Sequence, residues 1–190
     1  MSDALPAAGV LPDFDPALNH FARLGLEASF DVDREALEAN YLQRSAAVHP
    51  DRHRSGGEGL ERLAMEHASA INVAYRVLRD PVSRAEYLVK LGGIDLDSSD
   101  EQGGAPKPTQ AFLVDMIERR EQLEEAADEG VEALEDLRDE LDDEARAVFR
   151  RAGDALREGN VSAAAIELVT RRYLARLESE IEARIEGEDR

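Results

Sequence analysis

The sequence predicts an all-α protein built from two helical modules joined by a Gly/Pro-rich segment. Three observations carry that expectation. Apolar residues recur at spacings of three and four along most of the chain, no segment gives a strand signal, and capping or stopping residues punctuate the periodic runs. The 190 residues are 43% hydrophobic but include only 5 Phe, 4 Tyr and no Trp, so the core must be largely aliphatic.

Leu18 to Leu26 is a short apolar run (Leu18, Phe21, Ala22, Leu24) closed by Gly25. Asp31 or Asp33 can cap the next helix, in which Ala36, Leu37, Tyr41, Leu42 and Ala46 recur at helical spacing. That helix is predicted to end near Val48, because Pro50 disfavours helical geometry at His49. The loop HPDRHRSGGEG follows and carries a basic cluster of Arg52, His53 and Arg54. A long helix is predicted over 58–78, with a core stripe of Leu60, Leu63, Ala64, Ile71, Ala74, Tyr75 and Leu78. Asp80 can cap, and Pro81 open, a short helix bearing Ala85, Leu88, Val89 and Leu91, which Gly92-Gly93 ends.

Residues 92–108 read GGIDLDSSDEQGGAPKP, a composition that predicts turns or a linker. The expected organisation is therefore a first module over 14–91, a linker over 92–108 and a three-helix bundle over 109–187. In the bundle, the helix from Thr109 to about Asp128 carries Phe112, Leu113, Met116, Ile117 and Leu123. The second, Val131 to Glu158, is striped by Leu134, Leu137, Leu141, Ala145, Val148, Phe149 and Ala152. Gly159-Asn160 stops it, and Val161 to Glu186 carries Ile166, Val169, Tyr173, Leu177, Ile181 and Ile185. Short breaks between long helices predict antiparallel neighbours.

Charge divides at the same place. The chain carries 42 acidic and 23 basic residues, a net charge of −19; residues 14–91 hold −2 of it and residues 92–190 hold −15. Such a balance argues against a general nucleic-acid binder, which needs a basic surface to neutralise phosphates. No apolar stretch approaches the ~20 residues that span a bilayer, and MSDALPAAGVLPDFD has no basic residue ahead of its apolar part, unlike a secretory signal. A chain without cysteine has no disulfide framework, thiolate metal site or Cys nucleophile. A cytoplasmic protein is expected.

Catalytic chemistry finds little footing. Pro50 separates His49 from His53, so these two do not share a helix face as zinc ligands would, and H-E-x-x-H is absent. His20 has no evident partner, and His67 reads as a surface or half-buried residue of the long helix. G-x-S-x-G, P-loop and G-x-G-x-x-G motifs are missing, and Asp95 to Glu101 lacks the alternation of a calcium loop. Neither a metal nor another cofactor is expected, and an enzyme is the weaker class.

One constellation stands apart: Tyr41 and Arg44 on the helix, then His49-Pro50-Asp51-Arg52 in the loop between two apolar helices. Downstream lie Ile71-Asn72-x-Ala74-Tyr75-x-x-Leu78 and Asp80-Pro81-Val82-Ser83-Arg84-Ala85-Glu86-Tyr87-Leu88. This set resembles the J-domain of DnaJ-type co-chaperones and, with the Phe112-Leu113-Val114 start of an acidic three-helix module, the HscB family of iron–sulfur cluster assembly. The resemblance covers roughly residues 15–185. It implies a protein that brings an IscU-like cluster scaffold to an HscA-like, DnaK-type chaperone and stimulates that partner's ATP hydrolysis. It assigns chaperone binding to His49, Pro50, Asp51, Arg44, Arg52 and Tyr41. The chain departs from the family in two respects. Residues 34–48 contain only Arg34 and Arg44 as bases, beside Glu35 and Glu38, where J-domains typically carry a strongly basic helix. It also lacks the cysteine-rich metal module of many eukaryotic members, which matches a bacterial cytosolic form.

In the second module, Leu113, Val114, Ile117, Glu118, Glu121 and Glu125 recur at spacings of three, four and seven and can share one apolar–acidic face. The resemblance assigns these residues, with Tyr173, to scaffold binding. From the residues alone, Leu113 and Ile117 could equally be core and the glutamates solvated. Two further readings stay open: a J-domain co-chaperone for another client, and a helical interaction protein whose HPD tripeptide is fortuitous.

Overall fold

The computed structural model describes residues 11–188. The described residues are all-helical, with a single isolated bridge between Asp95 and Gly104. The chain divides into two compact units, Met1–Tyr87 and Leu88–Arg190.

The first unit is built on a helical hairpin. It contains α1 (His20–Arg23), α2 (Arg34–Ala47) and α3 (Glu58–Arg79), and the division falls within α4 (Pro81–Leu91). Polar side chains start these helices by accepting their orphan amides: Asn19 from Ala22 N at 2.8 Å, Asp33 from Glu35 N at 2.9 Å, and Asp80 from Ser83 N at 2.7 Å. α2 and α3 run antiparallel, and α1 packs on α3. Phe21, Leu24, Leu37, Ala64, Ile71, Ala74 and Leu78 are buried between them. Gly25 sits at φ +67°, a backbone that side chains rarely adopt, and the guanidinium of Arg44 lies over it, so the turn after α1 favours glycine.

His20 does have a partner. Its ring stacks on Tyr87 at 4.2 Å, and its amide donates to the Tyr87 hydroxyl at 2.9 Å. Burial, and then the nearby Arg23 charge, hold its pKa below the ordinary histidine value.

The second unit is an antiparallel three-helix bundle of α5 (Gln110–Glu129), α6 (Val131–Arg157) and α7 (Val161–Glu188). Leu123, Ala126, Leu134, Leu141, Ala145, Val148, Leu174, Leu177 and Ile181 form its core. Between α6 and α7, Gly159 takes φ +74° so that the Asn160 amide can reach the Ala155 carbonyl at 2.8 Å. The Asn160 side chain then accepts from Ala163 N at 3.1 Å and opens α7.

Residues 92–108 form a hydrogen-bonded strap within this unit. Asp95 N donates to Gly103 O at 2.7 Å, and Ala105 N to Ser98 O at 2.8 Å. Arg172 of α7 donates to both the Leu96 carbonyl and the Asp97 carboxylate at 2.9 Å, and Leu96 is buried.

Two expectations, for His53 and for Ile166, are corrected, and the open question of Leu113 and Ile117 is answered. His53 does not join an exposed basic cluster: it is 1% exposed and faces inward. The apolar run on α5 divides, with Leu123 in the core and Leu113 and Ile117 exposed, because a helix cannot turn every apolar residue of a wide stripe toward two neighbours. On α7, Ile166 is 56% exposed, and small residues, Ala164 and Ala165, take the close approach instead. No described helix is long and apolar enough to cross a membrane.

Two outcomes are expected. Leu174→Ala should lower stability in denaturant titration by about 2–5 kcal/mol, whereas Ile117→Ala should change it by less than about 1 kcal/mol. Second, His20 is held neutral in the folded state, so protonating it favours the unfolded chain. Stability should therefore fall as pH drops below about 6.5, and that part of the slope should disappear in His20→Phe.

Candidate functional site

The corner between α2 and α3 is built by its own termination chemistry. Pro50 cannot continue α2, and the chain passes through two single 3-10 turns, Pro50–Arg52 and Arg54–Gly56, before Gly57 releases it into α3. The last turn of α2 leaves carbonyls without helical partners. Arg52 Nη1 donates to Ala46 O at 3.2 Å, and the buried His53 Nε2–H donates to Ala47 O at 2.9 Å. A carbonyl only accepts, so the proton on His53 is fixed at Nε2.

With His53 anchored inward, His49 and Asp51 project outward, their side chains 59% and 60% exposed. The Asp51 amide donates to His49 Nδ1 at 3.3 Å, which leaves the neutral imidazole with its proton on the outward Nε2. Asp51 also pairs with Arg54 at 3.0 Å. The corner therefore offers an imidazole donor, a carboxylate and a guanidinium side by side. The Pro50 side chain lies outside the described residues.

The other residues of the first candidate set do different work. Arg44 is half-buried against Gly25. Tyr41 stacks on Tyr75 at 4.0 Å and donates to Asn72 Oδ1 at 3.1 Å, bracing α2 against α3. Tyr75 donates to Glu38, whose carboxylate pushes the Tyr75 hydroxyl above its ordinary pKa.

On α5, Leu113, Val114 and Ile117 are 43%, 48% and 59% exposed, and Glu118, Glu121 and Glu125 are exposed as well. Leu113 and Ile117 meet Tyr173 of α7 in a groove of about 420 Å³, floored by Met116 and Leu177. Tyr173 is half-buried, held edge-on by Phe112 at 5.4 Å and covered by Arg176 at 5.8 Å. Val114, Glu118, Glu121 and Glu125 do not line the groove. Sequence reasoning missed Met116 and Leu177 as its floor and the Arg120–Glu180 pair, at 2.8 Å, as its rim. Helical spacing held that signal, since each stands three, four or seven residues from Leu113, Ile117 or Tyr173. Among the described residues no three His, Cys, Asp or Glu side chains cluster as metal ligands would.

Residues 108–182 match the family model described as the HSCB C-terminal oligomerisation domain. Co-chaperone HscB homologues of Burkholderia multivorans and Burkholderia cenocepacia are each 40% identical to this chain over 169 residues, covering 88% of it and 94% of the relative. The chain belongs to the HscB co-chaperone family. The solved HscB of Vibrio cholerae is similar at 28% identity, with a TM-score of 0.70 over 90% of this chain and 99% of its own. Human HscB, at 24% identity, shares the fold with a TM-score of 0.76 over 96% of this chain and 93% of its own. HscB relatives are named co-chaperones, which agrees with a site that displays polar contacts rather than a nucleophile and base.

Proposed function

We propose that this chain works in iron–sulfur cluster assembly, delivering an IscU-like scaffold to an HscA-like, DnaK-type chaperone and stimulating that chaperone's ATPase. Residues 14–91 act as the J-domain, and the bundle at 109–187 holds the scaffold. The observation that carries the reading is the outward projection of His49 and Asp51 from a corner whose next histidine is buried. A loop pinned in this way loses little conformational freedom when a partner takes it up.

The chain need supply no bond-breaking group. A corner that binds one nucleotide state of the chaperone more tightly than another shifts the partner toward that state by the difference in affinity. The His49 Nε2–H suits an acceptor on the partner, and Asp51 with Arg54 suits a basic or mixed-charge patch. Because these groups are exposed, association should slow as salt rises.

The α5 face supports the second half of the reading. Leu113 and Ile117 are apolar anchors beside a pocket, Tyr173 is a half-buried aromatic in its wall, and Val114 with the glutamates forms a flank. Aromatic and aliphatic anchors in desolvating grooves carry most of the affinity of protein interfaces.

Steady-state ATP hydrolysis by the chaperone, measured with this protein, with scaffold and with both, tests the proposal. His49→Gln should abolish stimulation while circular dichroism and scaffold binding stay unchanged; normal stimulation by that variant would remove His49 from its role. Replacing Leu113 and Ile117 together with Ala should weaken scaffold binding by about tenfold or more and leave scaffold-free stimulation intact. Unchanged affinity in that double variant would sink the assignment of this face.

A further inference from the structure

Arg34 opens α2, while Arg76 and Arg79 close α3. Since the helices are antiparallel, the three guanidiniums gather at the end of the hairpin away from His49 and Asp51. They border a groove of about 640 Å³, walled by Tyr41, Tyr75 and Asn72. The two rings stack at 4.0 Å and 16°, and Arg79 lies over Tyr75 at 5.9 Å.

Several other arginines of this acidic chain are matched to carboxylates. Arg119 reaches Asp115 at 2.9 Å and Glu144 at 2.7 Å, Arg120 reaches Glu180 at 2.8 Å, and Arg151 reaches Glu167 at 2.8 Å. Among the described residues no carboxylate pairs with Arg34 or Arg76. Asp80 is the acid in the groove lining, and nearby Glu38 is taken by the Tyr75 hydroxyl. Tyr41 donates to the Asn72 carbonyl oxygen, so the Asn72 amide keeps its N–H donors for a ligand.

We propose that this groove, with Arg34, Arg76 and Arg79 set around the stacked Tyr41–Tyr75 pair, docks an extended acidic peptide segment of a partner protein. The groove, at about 640 Å³, is far larger than one compact anion and carries three guanidiniums, which favours a chain bearing several carboxylates. Carboxylates take the guanidiniums in forked pairs. A net charge of −19 repels acidic ligands from the molecule as a whole, so a local basic groove decides where one can bind. The site shares Tyr41 with the residues that the resemblance assigns to chaperone binding but includes neither His49 nor Asp51, so variants at Arg76 and Arg79 test it apart from that corner.

Fluorescence anisotropy with a short labelled peptide of alternating glutamate and glycine, added to the full chain, tests this. Binding should weaken as salt rises, fall about tenfold in the double variant Arg76→Glu, Arg79→Glu, and survive in Arg76→Lys, Arg79→Lys. The exposed Arg62, also on α3 but outside the groove, serves as the control: Arg62→Glu should change nothing, and so should His49→Gln. Equal loss with Arg62→Glu would mean diffuse attraction and overturn the proposal, as would no binding at low salt. Tighter binding of inorganic pyrophosphate than of the peptide would replace it with a small-anion site. Sedimentation showing a dimer that Arg76→Glu, Arg79→Glu dissolves would replace it with a second copy as occupant.

Discussion

The contact between buried His53 and the Ala47 carbonyl governs the corner between α2 and α3. A helix that stops at proline leaves its last carbonyls exposed to desolvation, and the chain must find donors for them within a few residues. Here the donor comes from six residues beyond the acceptor, which folds the intervening His-Pro-Asp back over the helix end. Arg52 repeats the device one carbonyl earlier. Two caps acting on one helix end leave the corner little freedom, and they determine which of its polar groups can meet another protein.

The bundle follows a different logic. Its core is aliphatic and closely spaced, with Ala145, Ala152, Ala164 and Ala165 permitting near approach of α6 and α7. That packing satisfies the helices through Leu123, Leu134, Leu141, Leu174 and Ile181. Leu113, Val114 and Ile117 are thus surplus to the fold, and their exposure needs a reason outside it. The surrounding ion pairs, such as Arg184 with Glu124 and Arg120 with Glu180, tie α5 to α7 at the surface without covering the apolar patch.

Helix boundaries were legible because caps and stops are local. Asp33, Asp80, Thr109 and Gly159 sit where the periodic runs begin or end, and the structure uses them as such. The HPD corner was legible as a motif, but the fate of its second histidine was not. Two 3-10 turns rotate His53 by a different angle from the α-helical register, and the sequence carries no sign of that change. Likewise, the contact of Arg172 with Leu96 spans 76 residues, beyond any local pattern. The gathering of Arg34 with Arg76 and Arg79 needs the antiparallel pairing itself, so a linear count of bases on α2 understated the positive charge beside it.

That strap has a consequence for how the chain survives in a crowded cell. A run of glycine, serine, aspartate and proline is the sort of stretch a protease threads first, since cleavage demands several residues of unpaired, extended backbone. Between Asp95 and Ala105 the backbone is instead tied to itself, and one guanidinium on α7 clamps its middle. Degradation through this stretch must wait for that clamp to let go, so a segment composed like a weak point is shielded by geometry.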